Sequence, residues 1–487
     1  MRRKTAFRFA PHLPAGGFPA RFLSGCLIAC MCVIFASCSG VNPGPGGSAV
    51  PEATELPDDY YTFAEVDVNM ERYFIFRIWN FSKRTKKDFR STVDAAIASG
   101  FNAIKIHMPW HRIESADGEA DFTELDSMLD YVVSEKGVKA AVSIDFARKY
   151  GDGMLTDDEI QRDIDGNLCV GDIYYNRAVL SFCSESATGK AVSFYKKAVE
   201  HVNSRYGDGI LLYLPAFTPY CETEYWCTAG YDYSDAAVDS FRKELAEKYG
   251  TVEKLNAAAG TAFSSFDKVV PPPCTDTDAY GVLWYNFRHE ALKKFIDRLI
   301  FAQKEAAPDS KAAIQLGSVF DNMSTLRATL RFADLCENAD VLWVDDGPVY
   351  NHRFSMDYVR TVLAGKTEIS QEIDGPLQVS ASPEAYLDQG EVSFARGAKY
   401  VSIANWSIDS NYRKYEHVWE KIAGDWLGDE KPPVVSLKMT DPPMTVSLYN
   451  RFMQGNWEAL LSEYDRLQQE TGAVRIIVID DMEAHEP

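Results

Sequence analysis

From residue 72 onward the chain repeats one pattern: a short apolar run, then a stretch whose apolar residues recur at helical spacing. The runs are Tyr73–Trp79, Ala103–Met108, Lys139–Ile144, Ile210–Ala216, Ala312–Leu316, Val341–Val344, Glu368–Ile373 and Tyr400–Ala404. Between and after them lie amphipathic segments at Lys86–Ala98, Phe122–Ser134, Gly189–Ser204, Ala279–Ala306, Thr325–Cys336, Asp357–Leu363, Pro383–Arg396 and Tyr412–Trp426. In the first of these, Phe89, Val93, Ala96 and Ile97 fall on one helical face. Continuous apolar strands alternating with helices imply a parallel sheet covered on its outside. Eight such units predict an α/β fold, a (β/α)8 TIM barrel. An open doubly wound sheet is the competing arrangement, but no Gly-rich phosphate loop follows the first strand.

A barrel of this kind carries its chemistry where its strands end at their carboxyl termini. Those positions here are Arg77, Trp79 and Asn80, then His107 and Trp110, then Asp145. Glu222 and Glu224 follow the fourth strand, Asp345 and Asp346 the sixth, Glu372 ends the seventh, and Asn405 and Trp406 the eighth. Any one of them can be an ordinary helix cap or rim residue; the clustering of acids and aromatics is what carries meaning. Two carboxyls across a barrel mouth suit glycosidic cleavage, one protonating the leaving group and one attacking or activating water. A gap of about 5–5.5 Å gives retention, and about 6.5–9.5 Å gives inversion. Glu222 and Glu372 are the catalytic candidates. Arg77, Trp79, His107, Trp110, Asp145, Glu224, Asp345 and Trp406 are the substrate-binding ones, and Trp226 offers a further flat apolar face for a sugar ring.

Neither a C-x-x-C pair nor an H-E-x-x-H is present, nor a nucleophile elbow or a P-loop, so no metal and no cofactor is expected. The formal charge of −21 repels nucleic acid and anionic lipid. The ten cysteines include Cys26, Cys30, Cys32 and Cys38 near the start. Of the other six, Cys169 and Cys183 are the pair to consider first for a disulfide. Residues 431–487 leave the repeat: Val434–Met439 and Val474–Ile479 read as strands, and Trp457–Gln469 as a helix, forming a small α/β appendage.

The first residues carry Arg2, Arg3, Lys4, Arg8 and Arg21 and no acid, followed by an apolar stretch from Phe22 to Ala36. A basic start and a short apolar core read as an export signal, too short for the ~20 residues of a spanning helix. The run Ile34-Phe35-Ala36-Ser37-Cys38 resembles the bacterial lipobox, which implies cleavage before Cys38 and lipidation of that residue. Removing the five basic residues takes the charge from −21 to −26. Ser39 to Pro57, rich in Gly, Pro, Ser and Ala, suits a tether. The expected organisation is a signal over 1–37, a tether over 38–60, a barrel over 61–430 and an appendage over 431–487. The expected place is the cell envelope, anchored by lipid to a bacterial membrane (the outer one favoured) and facing periplasm or cell surface.

The stretch Ile106-His107-Met108-Pro109-Trp110-His111-Arg112-Ile113-Glu114, with Asp117-Gly118, Asp121-Phe122 and Leu125-Asp126, resembles the second β/α unit of clan A glycoside hydrolases. Phe241-Arg242, Lys248-Tyr249-Gly250, Leu255-Asn256, Gly260-Thr261 and Phe263-Ser264 resemble the segment after the acid/base glutamate of the family-forty-two β-galactosidases. The resemblance spans roughly residues 70 to 270 and reaches the later strands by position. It implies an acid/base at Glu222, with Glu224 as the rival, and a nucleophile at Glu372, with Glu368 or Asp374 as alternatives. The family's Asn-Glu dipeptide departs here to Cys221-Glu222, in place of an asparagine that holds the sugar 2-hydroxyl. Cys221 and Cys227 do not reproduce the family's zinc spacing. The implied function is a retaining, β-galactosidase-like glycosidase acting on an oligo- or polysaccharide. The alternatives are an inactive barrel that binds glycan, and a structural envelope lipoprotein.

Overall fold

The computed structural model describes residues 69–486 apart from 79–84, 172–175, 322, 346–350, 374–380, 406–409 and 456. Its apolar runs form eight parallel strands: β1 (Tyr73–Ile78), β2 (Ala103–Pro109), β3 (Lys139–Asp145), β4 (Ile210–Ala216), β5 (Ala313–Leu316), β6 (Val341–Asp345), β7 (Glu368–Ile373) and β8 (Tyr400–Asn405). They hydrogen-bond in the order β4-β3-β2-β1-β8-β7-β6-β5. A parallel bridge between Tyr213 and Ala312 joins the two ends, so the sheet closes into a barrel.

Side chains alternate along a strand, so every second residue faces the barrel interior. Tyr73, Ile75, Ala103, Ala141, Leu212, Leu214, Ala313, Val341 and Tyr400 pack together there as an apolar plug, with Trp343 above them. The same parity then brings Arg77, Lys105, His107, Ser143, Asp145, Gln315, Ser370, Glu372 and Ser402 inward nearer the carboxyl ends. All of these are buried. Register sets the neighbours: Arg77 beside Lys105, His107 beside Ser143, Asp345 beside Glu372, and Glu372 beside Ser402. The interior thus changes from apolar to polar toward the end where the strands stop.

The outer layer comprises α1 (Thr85–Ala98), α2 (Thr123–Leu129), α3 (Glu185–Tyr206), α4 (Asp235–Tyr249), α5 (Val252–Ala259), α6 (Ala279–Ala306), α7 (His352–Leu363), α8 (Pro383–Ala395) and α9 (Ser410–Leu427). Ser184, Ser234, Thr251, Asp278 and Ser382 each cap a helix by accepting a backbone N–H from its first turn. Between β4 and β5, α4 and α5 pack Phe241, Leu245 and Leu255 on Trp284 of α6 as a separate apolar cluster.

Three expectations are corrected. Thr325–Cys336 is two single turns, Ser324–Arg327 and Phe332–Leu335, because Ala328 sits at φ 59°, in the left-handed region that ends a helix. Cys169 and Cys183 are both free thiols, as are the other four described cysteines; Cys169 belongs to the main core and Cys183 packs against the α4–α5 cluster. Past residue 431, the Val434–Met439 segment is no strand: Val435 donates its N–H to Ala395 and only Lys438 bridges to Val474. The paired strands are β9 (Thr445–Ser447) and β10 (Ile477–Ile479), with α10 (Leu448–Gln454) and α11 (Glu458–Thr471) between them.

Candidate active site

Glu372 lies fully buried near the end of β7. Arg77 from β1 donates to its Oε1 and forms an ion pair with it. Its Oε2 accepts from the Trp343 indole at 3.0 Å and from Ser402 at 3.2 Å, with the Lys105 ammonium 3.5 Å away. Burial alone would raise this carboxyl, but the Arg77 and Lys105 charges outweigh it and hold Glu372 below the usual glutamate range. The group is therefore an oriented carboxylate, the state a nucleophile requires.

The chain after β4 supplies a second acid. Beyond Ala216 it makes a tight loop in which the Phe217 and Thr218 N–H groups both donate to the Glu222 carbonyl, at 2.8 and 3.1 Å. Cys221 turns the loop at φ 85°. Thr223 then returns to the wall, donating to Gln315 O on β5 at 2.5 Å and accepting from Gln315 N at 3.0 Å. The glutamates on either side of Thr223 sit in different surroundings. Glu222 is half-buried, accepts from the Thr218 hydroxyl, and its charge is felt by Arg77 and Arg177. Glu224 is 3% exposed, paired with Arg327 at 2.9 Å, and accepts from Gly317 N at 3.1 Å. Burial pushes Glu224 up to about 8, with Arg327 opposing.

Two arginines hold the loop. Arg77 donates to the Tyr220 carbonyl at 3.0 Å, and Arg177 donates to the Pro219 carbonyl. Arg177 also grips Asp145, which takes the Ala147 N–H at 2.7 Å and faces His107 Nε2 at 3.2 Å. His107 lies against Cys221 Sγ at 3.1 Å. Burial first, then the charges of Arg177, Arg77 and Lys105, hold His107 well below its ordinary value, so the imidazole is neutral. Burial pushes the Cys221 thiol up to about 12. Asp345 is half-buried, with Gln315 Nε2 3.5 Å from its Oδ2.

Arg77, His107, Asp345, Glu222 and Glu372 thus share one polar floor. Trp110 does not. It is fully buried in the outer core, stacked on Phe194 of α3 at 5.4 Å, with its indole N–H on Glu114 at 2.8 Å. Its substrate-binding role is withdrawn, because the short turn after β2 folds the ring behind the wall. Asp145 and Glu224, expected as sugar contacts, are buried and engage Arg177, His107 and Ala147, and Arg327 and Gly317 respectively. Trp79, Asn80, Asp346, Asp374 and Trp406 lie outside the described residues. Glu368 is at the opposite end of β7, bound by Lys311 and Lys399. Trp226 is 8% exposed and packs near Tyr220.

The sequence reading passed over Lys105, Arg177, Trp343, Gln315 and Ser402. Strand parity was the available signal, since Lys105 shares the inward phase of Ala103 and His107. Among the described residues, His289, Glu290 and Asp334 are grouped closely enough to hold a metal ion. Arg331 stands 3.8 Å from both Glu290 and Asp334, so a cation already occupies that neighbourhood.

A (β/α)8 barrel with a gripped carboxylate on its seventh strand and a second carboxyl on the loop after its fourth has the architecture of a glycoside hydrolase. The family model for the β-galactosidases of glycoside hydrolase family 42 matches residues 174–428, and the chain belongs to that family. It is 23% identical over 297 residues to the β-galactosidase BgaB of a Geobacillus species, a match covering 56% of this chain and 40% of that one. The chain thus spans about 40% of the length of that curated relative. In structure it is similar to a β-galactosidase from Bacillus circulans sp. alkalophilus, with TM-score 0.64, 16% identity, and coverage of 85% of this chain and 66% of that one. The catalytic domain of β-amylase from Paenibacillus polymyxa gives TM-score 0.59 at 16% identity, covering 72% of this chain and 99% of that domain. At such identity these structures speak for the fold alone.

Proposed function

We propose that the protein is a retaining β-glycosidase of β-galactosidase type, with Glu372 as nucleophile and Glu222 as acid/base, acting on an oligo- or polysaccharide. The observation that carries this reading is the setting of Glu372: its two oxygens are fixed by Arg77, Trp343 and Ser402, and nearby cations keep it ionised. Glu222 is the partner because it stays half-buried with its charge acting on Arg77, while Glu224 is buried and engaged with Arg327. In the first step Glu222 gives its proton to the leaving oxygen as Glu372 bonds to the anomeric carbon; water then releases the sugar with Glu222 as base.

The test uses aryl β-galactosides and a 2-fluoro glycoside that traps the glycosyl-enzyme. Labelling should map to Glu372, and Glu372→Ala should abolish turnover. Glu222→Ala should lose about 100-fold or more on poor leaving groups, and less on activated aryl ones, with azide restoring the latter. Rescue of Glu224→Ala instead would move the acid role to Glu224. A second reading is an inactive barrel that binds glycan; its observation is Cys221, whose thiol is buried against His107 beside the proposed acid. Binding without turnover by the wild-type chain would favour it.

We place the protein at the cell envelope, held by lipid on Cys38; the basic start and the Ile34–Cys38 run support this. Cys38→Ala should release the chain from the membrane fraction. A variant still sedimenting with membranes after a salt wash would end the lipoprotein reading.

A further inference from the structure

Lys105 is a fully buried ammonium at the centre of the barrel. Its Nζ donates to Gln315 Oε1 on β5, lies 4.1 Å over the Trp343 ring of β6, and stands 3.5 Å from Glu372 Oε2 on β7. Charged and titratable groups face it from every side: Arg77 on β1, Cys221 on the loop after β4, Asp345 on β6, Glu372 on β7, and His107 two residues along its own strand. Glu372 therefore has two cationic neighbours of different kinds. Arg77 is a guanidinium, permanently charged in water up to a pH of about 12. Lys105 is an amine, which burial can discharge.

We propose that Lys105 is a positioning residue for Glu372, and that its ammonium charge sets the alkaline limit of turnover. The inference rests on the reading of Glu372 as nucleophile. While charged, Lys105 holds the Oε2 side of the carboxylate that Arg77 holds on the Oε1 side. Losing a proton from Nζ to solvent leaves a neutral amine that still accepts or donates a hydrogen bond but no longer attracts the carboxylate. Burial brings Lys105 down to about 8, with Glu372 opposing and Arg77 reinforcing the fall, which places that loss within reach of an ordinary assay.

The experiment compares the full-length wild type with Lys105→Arg, Lys105→Met, Glu224→Gln and Glu372→Gln. In wild type, kcat/KM on an aryl β-galactoside should fall with a midpoint near pH 8. Lys105→Arg should move that limb up by about one pH unit or more, because a guanidinium does not titrate there. Lys105→Met should lower kcat about 100-fold on the acid side of that limb, as a loosened nucleophile does. The deficit should shrink above it, where wild type has itself lost the ammonium. Glu224 also titrates near this pH. An alkaline limb that stays in Lys105→Arg, or that moves with Glu224→Gln instead, overturns the proposal.

A second readout is independent of turnover. NMR of ¹³C-labelled lysine follows the Lys105 amine, assigned by its disappearance in Lys105→Arg. Glu372→Gln should lower its titration midpoint by about one pH unit or more, because a neutral amide no longer favours the ammonium. An unchanged midpoint overturns the coupling. Should wild type turn over no glycoside while the midpoint does fall, the glycosidase reading fails and the Lys105–Glu372 coupling stands.

Discussion

Thr223 is stitched to β5 through both its backbone and its hydroxyl-bearing side chain, and Glu224 beside it is buried against Arg327. Glu224, inside the wall, is pushed up to about 8, whereas the same carboxyl in an unfolded chain titrates near about 4.3. Between these values the folded chain retains a proton that the unfolded chain has released. Its contribution to stability is complete below the unfolded value and is lost as pH rises through about 8. Urea unfolding of wild type from pH 5 to 9 should show a loss on the order of a few kcal/mol. Glu224→Gln should show a clearly smaller one. Parallel curves for the two proteins would mean that Arg327 keeps Glu224 ionised throughout. Position at the end of an apolar run was enough to single out Glu372 and Arg77 from sequence. Lys105 was harder to see, because a lysine inside such a run looks like an interruption until the lumen gives it a carboxylate and an aromatic face.

Among the elements, the segment 217–222 depends on neighbours that the linear pattern did not reveal. Its carbonyls at Pro219 and Tyr220 are held by Arg177 and Arg77, and Arg177 comes from the excursion after β3. Arg177→Lys keeps a charge but loses the planar fork that spans Asp145 and Pro219. Its kcat should fall about 100-fold through misplacement of Glu222, while KM and the thermal midpoint change little. Full activity in Arg177→Lys would show that Arg77 alone suffices. The strands themselves were legible because each is buried on both faces and so reads as an unbroken apolar run. The region after β5 was not: helical spacing over Thr325–Cys336 gives no warning of a left-handed residue at Ala328. Nor does alternation distinguish Val434–Met439, which runs beside α8, from the true strand at Thr445–Ser447.

For the molecule as a whole, the last 57 residues complete the barrel's outer layer rather than stand apart from it. Trp457, Tyr464, Val474, Ile476 and Met482 enter the main core. The polar centre of this contact is Asp357 on α7, fully buried. It receives Arg396 at 2.9 Å, the Tyr464 hydroxyl at 2.6 Å and the Val474 N–H at 2.9 Å. Arg331 adds ion pairs to Asp480 at 2.7 Å and Glu483 at 3.1 Å. Asp357→Ala leaves a buried guanidinium, a hydroxyl and an amide without their acceptor, and should destabilise the fold by about 3–5 kcal/mol. Thermal unfolding checks this; a midpoint unchanged from wild type would mean that solvent or a neighbour replaces the carboxylate.

Asp357 also makes the fit of α7 depend on groups 107 and 117 residues further along the chain. A chain ended before Tyr464 keeps Arg396 but leaves the α7 carboxylate without the Tyr464 hydroxyl and the Val474 N–H, facing an unfinished surface. Water satisfies it there, and that hydration opposes closure of the neighbouring apolar face. The Tyr464 hydroxyl and the Val474 N–H replace that water when the segment docks. Such a shortened chain retains every strand of the barrel and both proposed catalytic glutamates, yet lacks two of the three groups that let α7 bury its charge.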